Sequence, residues 1–257
     1  MKKLQILTMF VLASGILMSA RTEEEMELKQ SIVLKMPDGG GGNGAAVAYN
    51  PKANYYYSVM AGNAEFPMVM FNTSGEMVKD GYKAGFDARS MWYDKKKDRL
   101  VGNSFSNGGY VALQLDNDGK PTGNPEILLG GMHQPHERSI GAYNEKADEI
   151  IFRIDESIFF YNAKTGKNKR NINLLHIPAN SKLTDESVIY TGIKHKELGI
   201  YDYAAHKIYL FDASTGVLAQ SLKLPESAPS PDVLNFSYSN GTYWLFDKGN
   251  RQWIGYK

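Results

Sequence analysis

An all-β chain folded as a β-propeller of five four-stranded blades is what the sequence predicts, and three observations predict it. Four hydrophobic runs end in one recurrent turn: Phe71-Asn72-Thr73-Ser74-Gly75, Leu115-Asp116-Asn117-Asp118-Gly119, Tyr161-Asn162-Ala163-Lys164-Thr165-Gly166 and Phe211-Asp212-Ala213-Ser214-Thr215-Gly216. The leading residues of these turns, at 71, 115, 161 and 211, stand 44, 46 and 50 residues apart, a period proper to propeller blades. The aromatic share of 12% comes mostly from 16 Tyr, which suits pleated, half-buried strands better than helices.

The recurrent turn has a physical cause: the Asn or Asp side chain bonds to its own backbone, and the Gly takes the positive φ that closes the hairpin. Around it, each unit reads as strand, polar turn, strand, variable loop, third strand, Asx-Gly turn and fourth strand. The first unit gives strands over 44–49, 55–60, 67–71 and 76–79; the second over 90–93, 99–103, 110–115 and 126–129. The third gives 139–143, 149–154, 158–161 and 171–175, and the fourth 187–191, 198–203, 207–211 and 219–222. The last unit supplies three strands, 233–238, 242–246 and 252–256, and a lone apolar segment at 31–36 is placed to fill the gap. An N-terminal strand completing the last blade closes the ring and leaves only short, protected edges. The competing arrangements are six blades or an open ring.

Residues 1–20 read as a secretory signal peptide, with Lys2 and Lys3 before an apolar run that ends in Met18-Ser19-Ala20. Residues 21–30 are a solvated leader, and 31–257 a single propeller domain. The expectation is an exported protein, periplasmic or extracellular, with no membrane span after signal cleavage. Absence of cysteine excludes disulfides, thiolate metal sites and a lipid-modified N-terminal Cys. With 29 Lys plus Arg against 28 Asp plus Glu, bulk charge favours no nucleic-acid partner. A monomer is expected.

The third and fourth units, with Tyr161-Asn162-Ala163-Lys164-Thr165-Gly166 and Phe211-Asp212-Ala213-Ser214-Thr215-Gly216-Val217-Leu218, resemble blades of the YVTN, NHL and quinoprotein-like propeller superfamily. The likeness spans 31–257 in pattern. It implies the fold and no particular reaction, because that superfamily holds binding proteins, scaffolds and unrelated enzymes.

In such a fold the first strand of each blade lines the axis, and the loop leading into it sits on one face. Aligned on Tyr49, Tyr93, Tyr143, Gly192 and Tyr238, the five inner strands place Asn43, Asp87, Glu137, Glu186 and Asp232 six residues earlier. Four of the five are acidic, which predicts a negative ring at one mouth of the channel. Crowded carboxylates repel, raise pKa values or recruit a cation such as Ca²⁺ on the axis. Arg89 and Arg138 follow two of these positions and are placed to neutralise them. His133 and His136 precede Glu137 in a loop; two His and a Glu suit zinc, but Pro135 argues for an extended loop rather than a ligating helix.

The seven-residue run 38–44, rich in Gly, lacks the Lys-Ser or Lys-Thr of a phosphate loop, and reads as a flexible flap over the mouth. Tyr55-Tyr56-Tyr57 and Met91-Trp92-Tyr93 read as interblade packing, with sugar stacking as the second use. The functional expectation is a secreted, non-enzymatic binding or scaffold propeller without cofactor. It presents the leading-loop face, through Asn43, Asp87, Arg89, His133, His136, Glu137, Arg138, Glu186 and Asp232, to a protein, glycan or small ligand. The competing reading is a glycosidase-like hydrolase using Asp87, Glu137 and Glu186.

Overall fold

The structure is a computed structural model that describes residues 26–257; the expected signal peptide and the start of the leader lie outside the described residues. Two short N-terminal strands come first, β1 (Met26–Glu27) and β2 (Gln30–Lys35). The first blade is β3 (Asn43–Asn50), β4 (Tyr55–Ala61), β5 (Pro67–Phe71) and β6 (Met77–Lys83). The second is β7 (Trp92–Asp94), β8 (Arg99–Asn103), β9 (Tyr110–Leu115) and β10 (Pro121–Leu129). The third is β11 (Ala142–Asn144), β12 (Glu149–Ile154), β13 (Ser157–Asn162) and β14 (Asn168–Asn173). The fourth is β15 (Ile189–Tyr190), β16 (Leu198–Asp202), β17 (Lys207–Phe211) and β18 (Leu218–Lys223). The last holds β19 (Phe236–Ser239), β20 (Thr242–Asp247) and β21 (Gln252–Tyr256), and β2 pairs antiparallel with β21 as its fourth strand. Five four-stranded sheets therefore stand in a ring that the N-terminal strand closes.

Part of the expected leader belongs to the fold. β1 pairs in parallel with β18 of the fourth blade, Met26 opposite Leu222. The Asx-Gly turns show why such a strand is needed. In the fourth blade Asp212 Oδ1 accepts the amides of Ser214 and Thr215 at 2.7 and 3.0 Å. The same turn reaches the third blade: the Leu175 amide donates to Gly216 O, and Leu218 donates back to Leu175 O. Gly216 has a φ of +75°, and a Cβ there would sit 2.0 Å from the Asn173 carbonyl oxygen. Each turn thus clasps the preceding blade. The last blade has a chain junction at that place, where Lys29 and Lys257 exchange two backbone bonds, and β1 provides the clasp instead.

Five apolar clusters fill the five interblade interfaces. At the closing interface Trp244, Trp253, Phe246 and Phe71 are buried beside Leu34 of β2. Burial of a large side chain contributes roughly 1.5–3 kcal/mol, so closure is carried by side chains as well as by the β2 ladder. Four of the five inner strands begin two or three residues later than expected, because the residues before them are drawn into polar ties to the neighbouring blade, while β3 begins one residue earlier. Small and apolar side chains, Ala45, Met91, Ile140, Val188 and Phe236 among them, leave an axial space of only about 80 Å³. No helix of the described residues is long and apolar enough to cross a membrane.

Candidate functional site

Because successive strands alternate in direction, the ring has two unlike faces. The leading face carries the loops into the inner strands; the turn face carries the Asx-Gly turns and the hairpins that follow the inner strands. Polar side chains stitch each blade to the next across the leading face, buried at every junction except that of the first and second blades, where the tie is the partly exposed Asp87. Asn103 Nδ2 donates to Ser139 O at 2.7 Å and to Gln134 Oε1 at 2.8 Å, while its Oδ1 accepts the Gly141 amide. Asn235 Oδ1 accepts the Gly44 amide at 2.7 Å, closing the last blade onto the first. Such buried amides are fully satisfied, which specifies register between blades.

The expected ring residues are divided among several tasks. Asn43 accepts from Asn235 Nδ2 at 3.0 Å and belongs to the last stitch. Asp87 accepts the Gly62 amide at 2.9 Å and lies 3.6 Å from Arg89, whose guanidinium also covers the Phe105 ring at 4.5 Å. Glu137 and Arg138 are exposed; the Glu137 carbonyl accepts from Ser106 and Gln134. Asp232 is exposed, 3.9 Å from Lys248, and its carbonyl accepts the Asp185 amide. His133 lies apart from His136 in role: its ring is 2.9 Å from Gly130 O, and its carbonyl accepts from Tyr110. Among the described residues, no three His, Asp or Glu side chains come together to hold a metal ion.

Glu186 differs from all of these. Its side chain is 12% exposed, Oε1 lies 3.1 Å from His136 Nδ1, and Oε2 is buried without a hydrogen-bond partner. Burial is the main cause that pushes its carboxyl above the ordinary range, and Asp185 adds to it, against the opposing His136 and Arg138. The backbone at Glu186 is left-handed, with φ of +50°, a conformation that costs a residue with a Cβ about 1 kcal/mol or more. Arg153 holds it there. Its Nη1 donates to Thr184 O at 2.6 Å and to Ser187 O at 3.2 Å, either side of Glu186, and Nε donates to Asp155 O. Burial pulls the Arg153 guanidinium down to about 10. Nothing in the sequence marked Arg153, because it sits on a strand of the preceding blade.

Register in the fourth blade departs from the expected alignment. Tyr190, not Gly192, lies opposite Leu198 and so opposite Phe211, as Tyr143 lies opposite Ile150 and Tyr161. Thr184 is therefore the residue six before the mark, and Glu186 projects from a later point of the loop. The corrected set Tyr49, Tyr93, Tyr143, Tyr190 and Tyr238 converges on the turn face, round a bowl of about 300 Å³. Tyr49, Tyr93 and Tyr143 each donate to the Asn or Asp five residues on, Asn54, Asp98 and Asp148. The glycine-rich flap is not free either. Phe66 packs where a Cβ on Gly40 would stand, at 2.4 Å, and Arg251 donates to the carbonyls of Pro37 and Gly41.

With the geometry in place, known structures fix the fold class. The chain superposes on a crystal structure of glutaminyl cyclase from Myxococcus xanthus with a TM-score of 0.56, over 91% of this chain and 98% of that one, at 8% identity. A looser superposition, on a protein from Lactobacillus plantarum, covers 82% of this chain and 69% of that one at 13% identity, with a TM-score of 0.38. No protein-family model matches the sequence, and no curated protein sequence does. The chain shares the propeller fold with the cyclase; at 8% identity the likeness extends to fold alone.

Proposed function

We propose that this propeller is an exported, non-enzymatic binding protein that receives its ligand on the leading face, with Glu186 as the polar anchor. The observation that carries the reading is Glu186 Oε2, buried and unpartnered beside a carboxylate oxygen held by His136. A buried acceptor without a donor costs about 1–3 kcal/mol, and a ligand N–H or ammonium group removes that cost. The ligand is accordingly one that presents an amine or amide nitrogen: a peptide amino terminus, an amino sugar or a small amine. A two-carboxylate hydrolase needs a pair of carboxyls free to exchange protons. Asp87 is already engaged by Gly62 and Arg89, and that weighs for binding. The test is binding to arrayed peptides and glycans by the protein and by Glu186→Gln. Retention of amine-bearing ligands that the variant loses supports the reading; equal retention by both removes Glu186 as the anchor.

One observation favours a second reading. A carboxyl tuned upward and bonded to a histidine is suited to general acid–base work, and the fold neighbour is a glutaminyl cyclase. Under that reading the Glu186 and His136 pair moves the proton between the attacking amine and the departing ammonia of a glutaminyl substrate. Ammonia release from a peptide with N-terminal Gln, absent in Glu186→Gln, would establish it; no release above background leaves binding as the function.

A further inference from the structure

We propose a second, independent site in the cleft between the second and third blades, which takes a compact organic anion with an apolar body. The cleft holds about 190 Å³, below the roughly 300–1,000 Å³ of drug-sized sites, so its ligand is small. Trp92 and Tyr143 form one wall, their rings stacked at 5.4 Å and 19°. Val101, Tyr110, Leu128 and Ile150 line the apolar interior.

Charge at this cleft is one-sided. Lys96, Lys97, Arg99 and Lys164 line it against Asp94 and Asp148, four cations to two carboxylates, an excess of two. The carboxylates are already engaged: Asp94 with Arg99 at 3.3 Å, and Asp148 with the Tyr143 hydroxyl at 3.0 Å and Lys164 at 3.7 Å. Arg99 is itself buried and shared with Glu126. Among the described residues, no ion pair engages Lys96 or Lys97. Their turn, Lys95-Lys96-Lys97, straddles the stacked pair: Lys95 faces the axial bowl, and Lys96 and Lys97 face the cleft. A lysine run on an open turn is usually a solvated surface, where isolated charges contribute little. Here Lys96 and Lys97 line an apolar cavity, whose low-dielectric walls strengthen the pull of a cation on an anion.

Octanoate is the probe, with 1-octanol and octylamine as neutral and cationic counterparts. Trp244 and Trp253 are fully buried and Trp92 is not, so a change in tryptophan emission reports on Trp92, which borders both the cleft and the bowl, and loss of the change on substituting Lys96 and Lys97, which line the cleft alone, assigns it to the cleft. The expected result is a saturable shift with octanoate, weakened at least tenfold by the two other head groups and by the Lys96→Ala/Lys97→Ala double variant. Both lysines are exposed, so the double variant should melt with the parent protein. Glu186→Gln should bind octanoate unchanged, which separates this site from the leading face. Equal binding of the three probes, octanoate binding that survives the double variant, or no saturable shift overturns the proposal.

Discussion

Glu186 and Asp212 are carboxylates in nearly the same setting with opposite properties. Their side chains are 12% and 15% exposed, and each is bonded to a histidine, Glu186 to His136 at 3.1 Å and Asp212 to His195 at 2.7 Å. Glu186, on the leading face, has its carboxyl pushed up; Asp212, on the turn face, is held far below the usual carboxylate range. The difference lies in the donors. Asp212 receives the Ser214 hydroxyl, the His195 ring and the amides of Ser214 and Thr215, and each donor favours the charged form. Glu186 receives one partner and keeps an oxygen buried and idle. A carboxylate that the fold satisfies is structural, and the one that it leaves unsatisfied is the one for which we propose a ligand partner.

The largest effect expected on this contrast comes from removing the turn that makes Asp212 structural. Gly216→Ala places a Cβ against the Asn173 carbonyl in a left-handed conformation, and should cost about 3 kcal/mol or more in denaturant unfolding. A loss under about 1 kcal/mol would mean that the turn does not clasp the third blade.

Next in size, Asp212→Ala should cost about 1–2 kcal/mol at neutral pH, as loss of a capping side chain does. Since the folded pKa lies below the unfolded one, this stability is present in full above the ordinary Asp value of about 4, begins to fade there and is lost as pH falls on through the lower folded value. Melting curves of parent and variant should converge in acid; a gap that is constant with pH defeats the assignment.

Smallest is Glu186→Gln, with the opposite sign. A carboxyl whose folded pKa is raised penalises the fold as pH climbs from about 4.3 through the folded value. The variant should therefore be more stable than its parent at pH 7, by up to about 1 kcal/mol, and no more stable at pH 4. A variant that is less stable at both pH values would show that His136 satisfies Glu186 after all.

The fold was legible in the sequence because its marker is local: Asn72, Asp116, Asn162 and Asp212 each fold their own turn within four or five residues. The last blade was legible by subtraction, three strands wanting a fourth. The site was less so. The hairpin after Tyr190 runs seven residues to Leu198 where the one after Tyr143 runs six to Ile150, and that extra residue shifts the register of the fourth blade against the others. Asn103, Arg153 and Asn235 tie the blades through residues 31 to 192 positions away, and no short-range pattern announces such partners. Nothing near Lys96 and Lys97 in the sequence marks the cleft that they line, because its wall forms only where Trp92 stacks on Tyr143 of the next blade.

The bond exchange between Lys29 and Lys257 has a mechanical consequence. It stands at the same end of the β2–β21 ladder as the Gln30 and Tyr256 pair, and antiparallel bonds run across the strands. A pull that separates residues 29 and 257 therefore loads one bond after another instead of the whole ladder at once. The seam is thus built to open like a zip, one rung at a time.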